Sequence, residues 1–228
     1  PPRIQVGLLN VLEEKDFQIR GFPFRIPLDV CMVFSANPED YTNRGNIISP
    51  LKDRIDSQII THYPDNIKHA IQITSQEAWE NRNSFFKIYL PDVFREIIED
   101  VAFEARNSEF VDQKSGVSAR MTISLLENVI SNIERRCLTN KETVACPRLA
   151  DLHQALPAIT GKLELVYEGE QEGVNLVARK LIGQAVKKTF LRYFPKPDLK
   201  VKDNNRENQD SPYGKIIEWF AQGNIIEI

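Results

Sequence analysis

VCMVFSANP, at residues 30–38, is the stretch that predicts the fold most directly. Its first five residues are a continuous apolar run, which is typical of a short strand buried on both faces of a parallel sheet. A polar loop follows the run, so the side-chain amide of Asn37 is expected at the carboxyl end of this strand. Open α/β sheets bind ligands at that edge. An ordinary Asn-Pro turn is the alternative interpretation of the same residues.

A helix and a hairpin are predicted before this strand. Apolar residues on one helical face indicate an amphipathic helix that ends near Lys15. Apolar residues then alternate with polar residues or proline on either side of Gly21, which predicts a β-hairpin from Asp16 to Pro27. A short helical segment is expected at residues 50–54, and it leads into a second short strand around residues 58–61. The apolar helical face consists of Ile4, Leu8, Leu9 and Leu12.

Beyond Pro64 the apolar residues recur at helical spacing, so this part is predicted to be a helical subdomain followed by a C-terminal extension. Ser118 is expected to cap one of the helices. A strand or hairpin arm is predicted at residues 162–168, and a mobile linker, poor in apolar residues, at 195–212. The predicted helices follow Pro64 and Pro91, run from Ala119 towards Cys137 and from Val174 to Phe194, and close with a short helix at 216–220.

The composition is that of an ordinary globular protein without a global charge that would attract polyanions. The chain has 228 residues, with 29 Lys and Arg against 32 Asp and Glu and a net charge of -3. This balance gives no field for holding nucleic acid or an anionic membrane. Three scattered cysteines suit neither a disulfide framework nor a zinc site, which favours a reducing, cytoplasmic setting. We find no apolar run near the roughly 20 residues of a membrane span and no signal peptide, and the missing initiator Met suggests a fragment.

Several short motifs occur in an order that is more specific than any of them alone. They are LLNVLEEK at residues 8–15, the hairpin, SANPEDYTNRG at 35–45, PLKDR at 50–54 and VDQKSGVSAR at 111–120. Their succession over roughly the first 140 residues resembles the magnesium chelatase ATPase subunit and its MoxR-like AAA+ relatives.

This resemblance implies an α/β remnant of a AAA+ nucleotide-binding domain followed by a mostly α-helical lid domain. By the same resemblance, residues 1–63 are the C-terminal part of the α/β core, 64–159 the lid with sensor 2, and 160–228 a C-terminal extension. The hairpin is similar to the insertion that relatives use to transmit ATP-driven motion, although a hairpin that fills core space is an equal alternative.

The resemblance also implies roles for three residues. Asn37 is the sensor 1 residue, whose amide orients the attacking water or contacts the γ-phosphate. Arg54 is similar to the arginine finger that a subunit inserts into its neighbour's nucleotide site, where it acts on the transferred phosphoryl group in trans. Arg120 is the sensor 2 arginine, which contacts the nucleotide phosphates and couples the lid to the nucleotide state. Arg44 is a weaker interface candidate in what could be any exposed turn.

A phosphate-binding loop of the form GxxxxGK[ST] and an acidic magnesium-binding strand are missing from the sequence. Gly161-Lys162 is the nearest imitation, but Leu156 and Leu163 replace the first glycine and the hydroxyl residue. ATP and Mg²⁺ are therefore expected as cofactors of the intact protein, and neither is expected to bind tightly to this chain, which alone should not hydrolyse ATP.

Other charged groups are given ordinary roles. The acidic pair in IIED, at residues 97–100, lies in a periodic helix and is interpreted as a solvated acidic face. The three histidines lack the spacing of a metal site. A basic stretch on the late helix is interpreted as a solvated face in preference to a nucleic-acid surface. It comprises Arg179, Lys180, Lys187, Lys188 and Arg192.

The leading functional hypothesis is a mechanochemical ATPase. It forms a homo-oligomeric ring, expected to be a hexamer, and uses ATP hydrolysis to remodel a partner protein; chelatase and chaperone-like relatives share the motifs. The alternative is a non-catalytic protein-interaction module derived from the same fold. A transcription activator is disfavoured because no GAFTGA-like loop is found.

Overall fold

The computed structural model describes residues 2–13, 17–19, 22–24, 31–35, 47–82, 85–196 and 213–225. Two compact units are present, Pro1–His62 and Tyr63–Ile228. The described residues are mostly helical, as predicted for the larger part of the chain. Residues 160–228, which the sequence assigns to a separate extension, belong to the same compact unit as the lid. From residue 197 onward, the predicted linker lies outside the described residues.

The first unit contains the predicted amphipathic helix and hairpin, and both predictions are confirmed. The two strands of the hairpin pair antiparallel, with Phe17 opposite Phe24 and Ile19 opposite Phe22. The short helical segment predicted before Arg54 is also present. The elements are helix α1 (Pro2–Glu13), strands β1 (Phe17–Ile19) and β2 (Phe22–Phe24), and helix α2 (Ser49–Lys52).

Neither the buried strand predicted at the start of residues 30–38 nor the short strand predicted around 58–61 is formed by the described residues of the first unit. Residues 31–35 and 55–62 have neither helix nor strand and are mostly exposed, with Val33 at 89% and Ile59 at 88% exposure. The predicted burial is therefore wrong, and the α/β part of the predicted fold is not seen in this region. An apolar run becomes a buried strand only when neighbouring strands pair with its backbone, and no described residue pairs with 31–35 or 58–61.

The second unit is a helical assembly with one small parallel sheet. The strand arm predicted at 162–168 is reduced to a single antiparallel bridge between Leu165 and Val111, because a helix begins at Tyr167. The elements are α3 (Ile67–Glu77), β3 (Lys87–Ile88), α4 (Asp92–Arg106), α5 (Arg120–Asn140), β4 (Val144–Ala145), α6 (Leu149–Gln154), α7 (Leu156–Thr160), α8 (Tyr167–Glu172), α9 (Val174–Tyr193) and α10 (Gly214–Ala221).

Helix α4 is the centre of the second unit because α3, α5 and α9 all pack against it. Its side chains are consequently buried around more than half of its circumference, and Ile98, Val101 and Ala102 have almost no exposed surface. Each fully buried Val or Ile side chain contributes about 1.5–3 kcal/mol relative to an exposed one. Helix α5 adds a second row of buried apolar residues from Met121 to Cys137.

A polar seam joins α4 to α9. The buried carboxylate of Asp100 accepts hydrogen bonds from the Thr189 hydroxyl, at 2.8 Å, and from the Arg192 guanidinium. Lys188 lies 2.8 Å from a Glu104 carboxylate oxygen and 3.4 Å from one of Asp100. All five residues of the late basic stretch are exposed, as the solvated-face interpretation expects, and Lys188 and Arg192 also form ion pairs with the acidic residues of α4.

Replacing Asp100 with alanine should destabilise the second unit. The Thr189 hydroxyl would lose its acceptor in a buried position, and two cations would lose their shared carboxylate. Since both cations are more than a third exposed, solvent screens their ion pairs, and we expect a loss of about 1–3 kcal/mol. Urea denaturation followed by circular dichroism measures this. The exposed Glu109→Ala is the control and should change stability by less than about 0.5 kcal/mol; an equal effect of both would contradict the role of the seam.

Candidate functional site

The structure describes two of the three residues to which the sequence assigns a role. Arg54 follows α2 in the first unit, and Arg120 is the first residue of α5 in the second. Asn37, the predicted sensor 1 residue, and Arg44 lie outside the described residues.

The side chain of Arg54 folds back over the helix that precedes it. Helix α2 begins with proline in its first turn and is anchored by the buried Leu51. The Arg54 guanidinium donates a hydrogen bond from Nη1 to the carbonyl oxygen of Pro50, at 2.9 Å in an exposed position. This local bond sets the guanidinium at the C-terminal end of α2, where carbonyl groups lack helical partners.

Arg120 is exposed at the N-terminus of a 21-residue helix. The hydroxyl of Ser118 accepts a hydrogen bond from the Arg120 backbone N–H at 3.2 Å, so the serine predicted as a cap does contact the helix start. Within the described part of the chain, no group is hydrogen-bonded to the Arg120 guanidinium. A cation is unfavourable at the positive end of a helix dipole unless an anion accompanies it. The arrangement therefore favours an anion at this end of α5.

The loop before α5 is held at its first residues by local bonds. The Asp112 backbone N–H donates to the carbonyl of Glu164 at 2.9 Å, next to the bridge between Val111 and Leu165. The Asp112 carboxylate accepts from the Lys114 backbone N–H and the Ser115 hydroxyl, both at 2.9 Å. These hydrogen bonds, led by the one from Lys114, lower the pKa of Asp112. The motif at 111–120 thus begins as a compact turn.

The end of the same loop contacts an aromatic side chain that sequence analysis did not single out. The Val117 backbone N–H donates to the Tyr63 hydroxyl at 2.9 Å. The Arg106 guanidinium lies over the Tyr63 ring, 4.1 Å from its centroid, and its Nε and Nη2 are each 3.4 Å from the Val117 carbonyl oxygen. Gly116 is the only sequence signal for this arrangement, because its φ of 70° is one that glycine adopts most readily.

Glu99 is buried, so the prediction of a solvated acidic face at residues 97–100 is wrong. The Thr74 hydroxyl donates to Glu99 Oε1 at 2.5 Å and lies 2.9 Å from the hydroxyl of Thr122. Burial raises the pKa of Glu99, while the hydrogen bond from Thr74 and the charge of Arg106 oppose the rise. The sequence pattern failed because it assumed one apolar face, whereas α4 is covered on three sides.

The Gly161-Lys162 pair does not form a cradle for a nucleotide triphosphate. At the Gly161-Lys162 pair, both backbone N–H groups donate to carbonyls of α7, from Gly161 to Pro157 at 3.2 Å and from Lys162 to Ile159 at 3.0 Å. They therefore close the C-terminus of a helix and are not free to bind phosphate. Among the described residues, no group of three His, Cys, Asp or Glu side chains could hold a metal ion.

No protein-family model matches the chain, and neither a curated protein nor a solved structure matches it. Within the described ranges, no helix has the length and hydropathy that crossing a membrane requires.

Replacing Glu99 with glutamine should change how stability depends on pH. Because the folded state raises the pKa of Glu99, it binds the Glu99 proton more tightly than the unfolded chain does. Protonated Glu99 therefore makes its whole contribution to the free energy of unfolding at low pH. This contribution is lost as the pH rises above about 4.3, the pKa of a glutamate in the unfolded chain. Glutamine cannot ionise, so Glu99→Gln should gain stability relative to wild type between pH 4 and pH 7.

Urea denaturation at pH 4, 5.5 and 7 measures this difference. The groups that face Glu99 are the hydroxyls of Thr74 and Thr122 and the charges of Arg106 and Asp100. The exposed Glu109→Gln serves as the matched control. A difference between Glu99→Gln and wild type that stays constant across this range would show that Glu99 does not titrate differently in the folded state.

Proposed function

We propose that this chain is the C-terminal part of a ring-forming AAA+ ATPase of the magnesium chelatase and MoxR-like type, which works in the cytoplasm and remodels a partner protein. The observation that carries the proposal is Arg120, an exposed cation at the N-terminus of a long helix. It follows a loop whose sequence, at 111–120, is one of the ordered motifs on which the resemblance depends. The ring is proposed to be a homohexamer.

Arg120 acts as the sensor 2 residue in this proposal. The positive dipole of α5 favours phosphate oxygens near its N-terminus, and the guanidinium supplies planar hydrogen-bond donors to the same anion. Binding of phosphate there relieves the unfavourable placement of a cation at a helix N-terminus. The position of the lid is thereby linked to the nucleotide.

Arg54 acts in trans on the nucleotide of the neighbouring subunit, and Asn37 acts as sensor 1 in its own. ATP with Mg²⁺ supplies the phosphoryl group that is transferred to water. An arginine at the transferred group stabilises the charge that spreads over its oxygens in the transition state. In this proposal the Arg54 side chain exchanges its hydrogen bond to the Pro50 carbonyl for bonds to those oxygens.

Two exposed segments of the first unit support the proposal that this chain supplies part of a larger α/β sheet. Residues 31–35 and 58–61 include apolar side chains that are exposed to solvent, among them Val33, Ile59 and Ile60. Their backbone groups make no backbone hydrogen bond to another described residue. Exposed backbone that lacks strand partners is a template for strand pairing. We propose that they complete an α/β sheet whose other strands, with the phosphate-binding loop, come from polypeptide outside this sequence.

Mixing two inactive variants of the intact protein tests the trans role of Arg54. One is Arg54→Ala; the other keeps Arg54 but has its phosphate-loop lysine replaced. In a mixed ring, an intact nucleotide site can receive Arg54 from its neighbour. Arg54→Ala alone should hydrolyse ATP about 10³-fold more slowly than wild type, or slower still. We expect mixing to restore hydrolysis, measured by phosphate release.

Arg179→Ala is the control for this experiment, because Arg179 is exposed in the last long helix and should leave hydrolysis unchanged. If Arg54→Ala alone retains full activity, or if the mixture regains none, Arg54 is not an arginine finger. The 228-residue chain by itself should release no phosphate from ATP.

Charged substitutions in the exposed apolar segments test the missing sheet. Val33→Lys and Ile60→Lys change side chains that are exposed in this chain, so each should alter its free energy of unfolding by less than about 0.5 kcal/mol. In the intact protein the same lysines would enter a buried strand, which should cost several kcal/mol. Thermal melts of both forms measure this contrast. Equal changes in melting temperature in the 228-residue chain and in the intact protein would refute the strand pairing. The control is Lys87→Ala, at an exposed position in the second unit.

A non-catalytic interaction module is the second candidate, and α10 is the observation that favours it. Ile216, Ile217, Trp219 and Phe220 are all at least 41% exposed on this short helix, and exposed apolar patches mark interaction sites. The interaction module would be favoured if the intact protein does not hydrolyse ATP and binds its partner equally well with and without ATP.

A further inference from the structure

We infer that Tyr63 is a positioning residue that latches the end of the 112–119 loop, and with it the N-terminus of α5, to the point where the chain enters the second unit. The latch consists of Tyr63, Arg106, Gly116 and Val117. Tyr63 is the first residue of the second unit and directly follows the last residue of the first. All four residues of the latch belong to the second unit.

The first contact of the latch is a hydrogen bond to the loop backbone. The Tyr63 hydroxyl accepts from the Val117 N–H at 2.9 Å, while the Val117 side chain is buried in the core of the helices. Loop residues between the turn at Asp112 and the start of α5 have few other backbone bonds; one is from the Gly116 N–H to the Asp112 carbonyl at 3.3 Å. The tyrosine therefore fixes the last part of the loop before Ser118 and Arg120.

The second contact is the stacking of Arg106 on the tyrosine ring. Its guanidinium lies 4.1 Å from the Tyr63 ring centroid and 5.5 Å from that of Phe103. It also approaches the Val117 carbonyl, so it contacts both partners of the hydrogen bond. Cation–π stacking contributes most where water is excluded, and Arg106 Nη1 is buried without an acceptor among the described residues. A buried donor left unpaired is tolerated here because the rest of the guanidinium is engaged.

The third contact explains why a glycine precedes Val117. A Cβ at position 116 would lie 2.5 Å from the Tyr63 hydroxyl oxygen, which is closer than real Cβ atoms approach, and 3.8 Å from the ring carbon that carries it. The φ of 70° at Gly116 adds a second, independent preference for glycine. The steric conflict, unlike the backbone strain, exists only while the hydroxyl is present.

The latch connects the chain joint at residues 62 and 63 to the helix that begins with Arg120. Residues 55–62 have no helix or strand, so the Tyr63 side chain is the first group after this stretch that is bonded to the α5 loop. Displacing Tyr63 would remove the acceptor of the Val117 N–H, just before the start of α5. The positioning of the loop stands on these contacts alone; its use in nucleotide sensing rests on the proposed function of Arg120.

Hydrogen exchange in the 228-residue chain tests the latch without any ATPase assay. Tyr63→Phe keeps the ring under Arg106 and removes only the acceptor. We expect exchange of the Val117 amide to become about five-fold faster, the factor for one net hydrogen bond, with cleavage by trypsin after Lys114 accelerated in parallel. The melting temperature of the whole chain should change little. Tyr89→Phe is the matched control, because Tyr89 is exposed and its hydroxyl has no partner among the described residues.

A double variant separates a latch from a merely structural contact. Gly116→Ala should accelerate both exchange and cleavage, because the new Cβ meets the Tyr63 hydroxyl. In the Tyr63→Phe background the same substitution should have a smaller effect, since the nearest remaining atom lies 3.8 Å away. Only the strain of a positive φ would then remain.

Two results would overturn the proposal. One is Val117 exchange that is unchanged in Tyr63→Phe relative to Tyr89→Phe. The other is an effect of Gly116→Ala that is equal in both backgrounds, since this would show that the hydroxyl does not hold the loop. Neither result bears on ATP hydrolysis by the intact protein, so failure of the latch and failure of the proposed function are distinguishable.

Discussion

The burial of helix α4 on three sides is the constraint on which the second unit depends. Because α3, α5 and α9 all pack on it, its polar residues could not remain solvated and had to find partners inside the unit. Glu99 is bonded to Thr74 towards α3, and Asp100 to Thr189 and Arg192 towards α9. A buried carboxylate is tolerated only with such partners. The two acidic side chains therefore join α4 to helices on two of its sides.

A different constraint acts on the first unit, where a predicted strand can form only if another strand pairs with its backbone. Its apolar segments at 31–35 and 58–61 have the composition of buried strands, yet they are exposed because the described residues supply no neighbouring backbone. A helix satisfies its own hydrogen bonds, whereas a strand depends on another strand. This difference explains why helices α1 and α2 form in the first unit as predicted, while the strands predicted at 31–35 and 58–61 do not.

Two of the three residues to which chemistry is proposed are arginines at the ends of helices. Arg54 lies just after α2, and Arg120 is at the start of α5, where the helix dipole favours an anion. The motif at 111–120 could be located in the sequence, and so could Arg120 within it. The contacts that orient the motif could not, because Tyr63 and Arg106 are 54 and 11 residues distant from Val117 in sequence.

The sequence by itself predicted the longer helices and the hairpin, because periodicity acts between residues that are close along the chain. Only the tertiary structure decided that Glu99 and Asp100 are buried, that Val33 and Ile59 are exposed, and that Tyr63 contacts the loop before α5. Local pattern shows which residues share a face of an element. Which residues cover that face, and whether the other faces are covered too, depends on contacts between residues that are far apart in sequence. A local sequence pattern contains no information about those contacts.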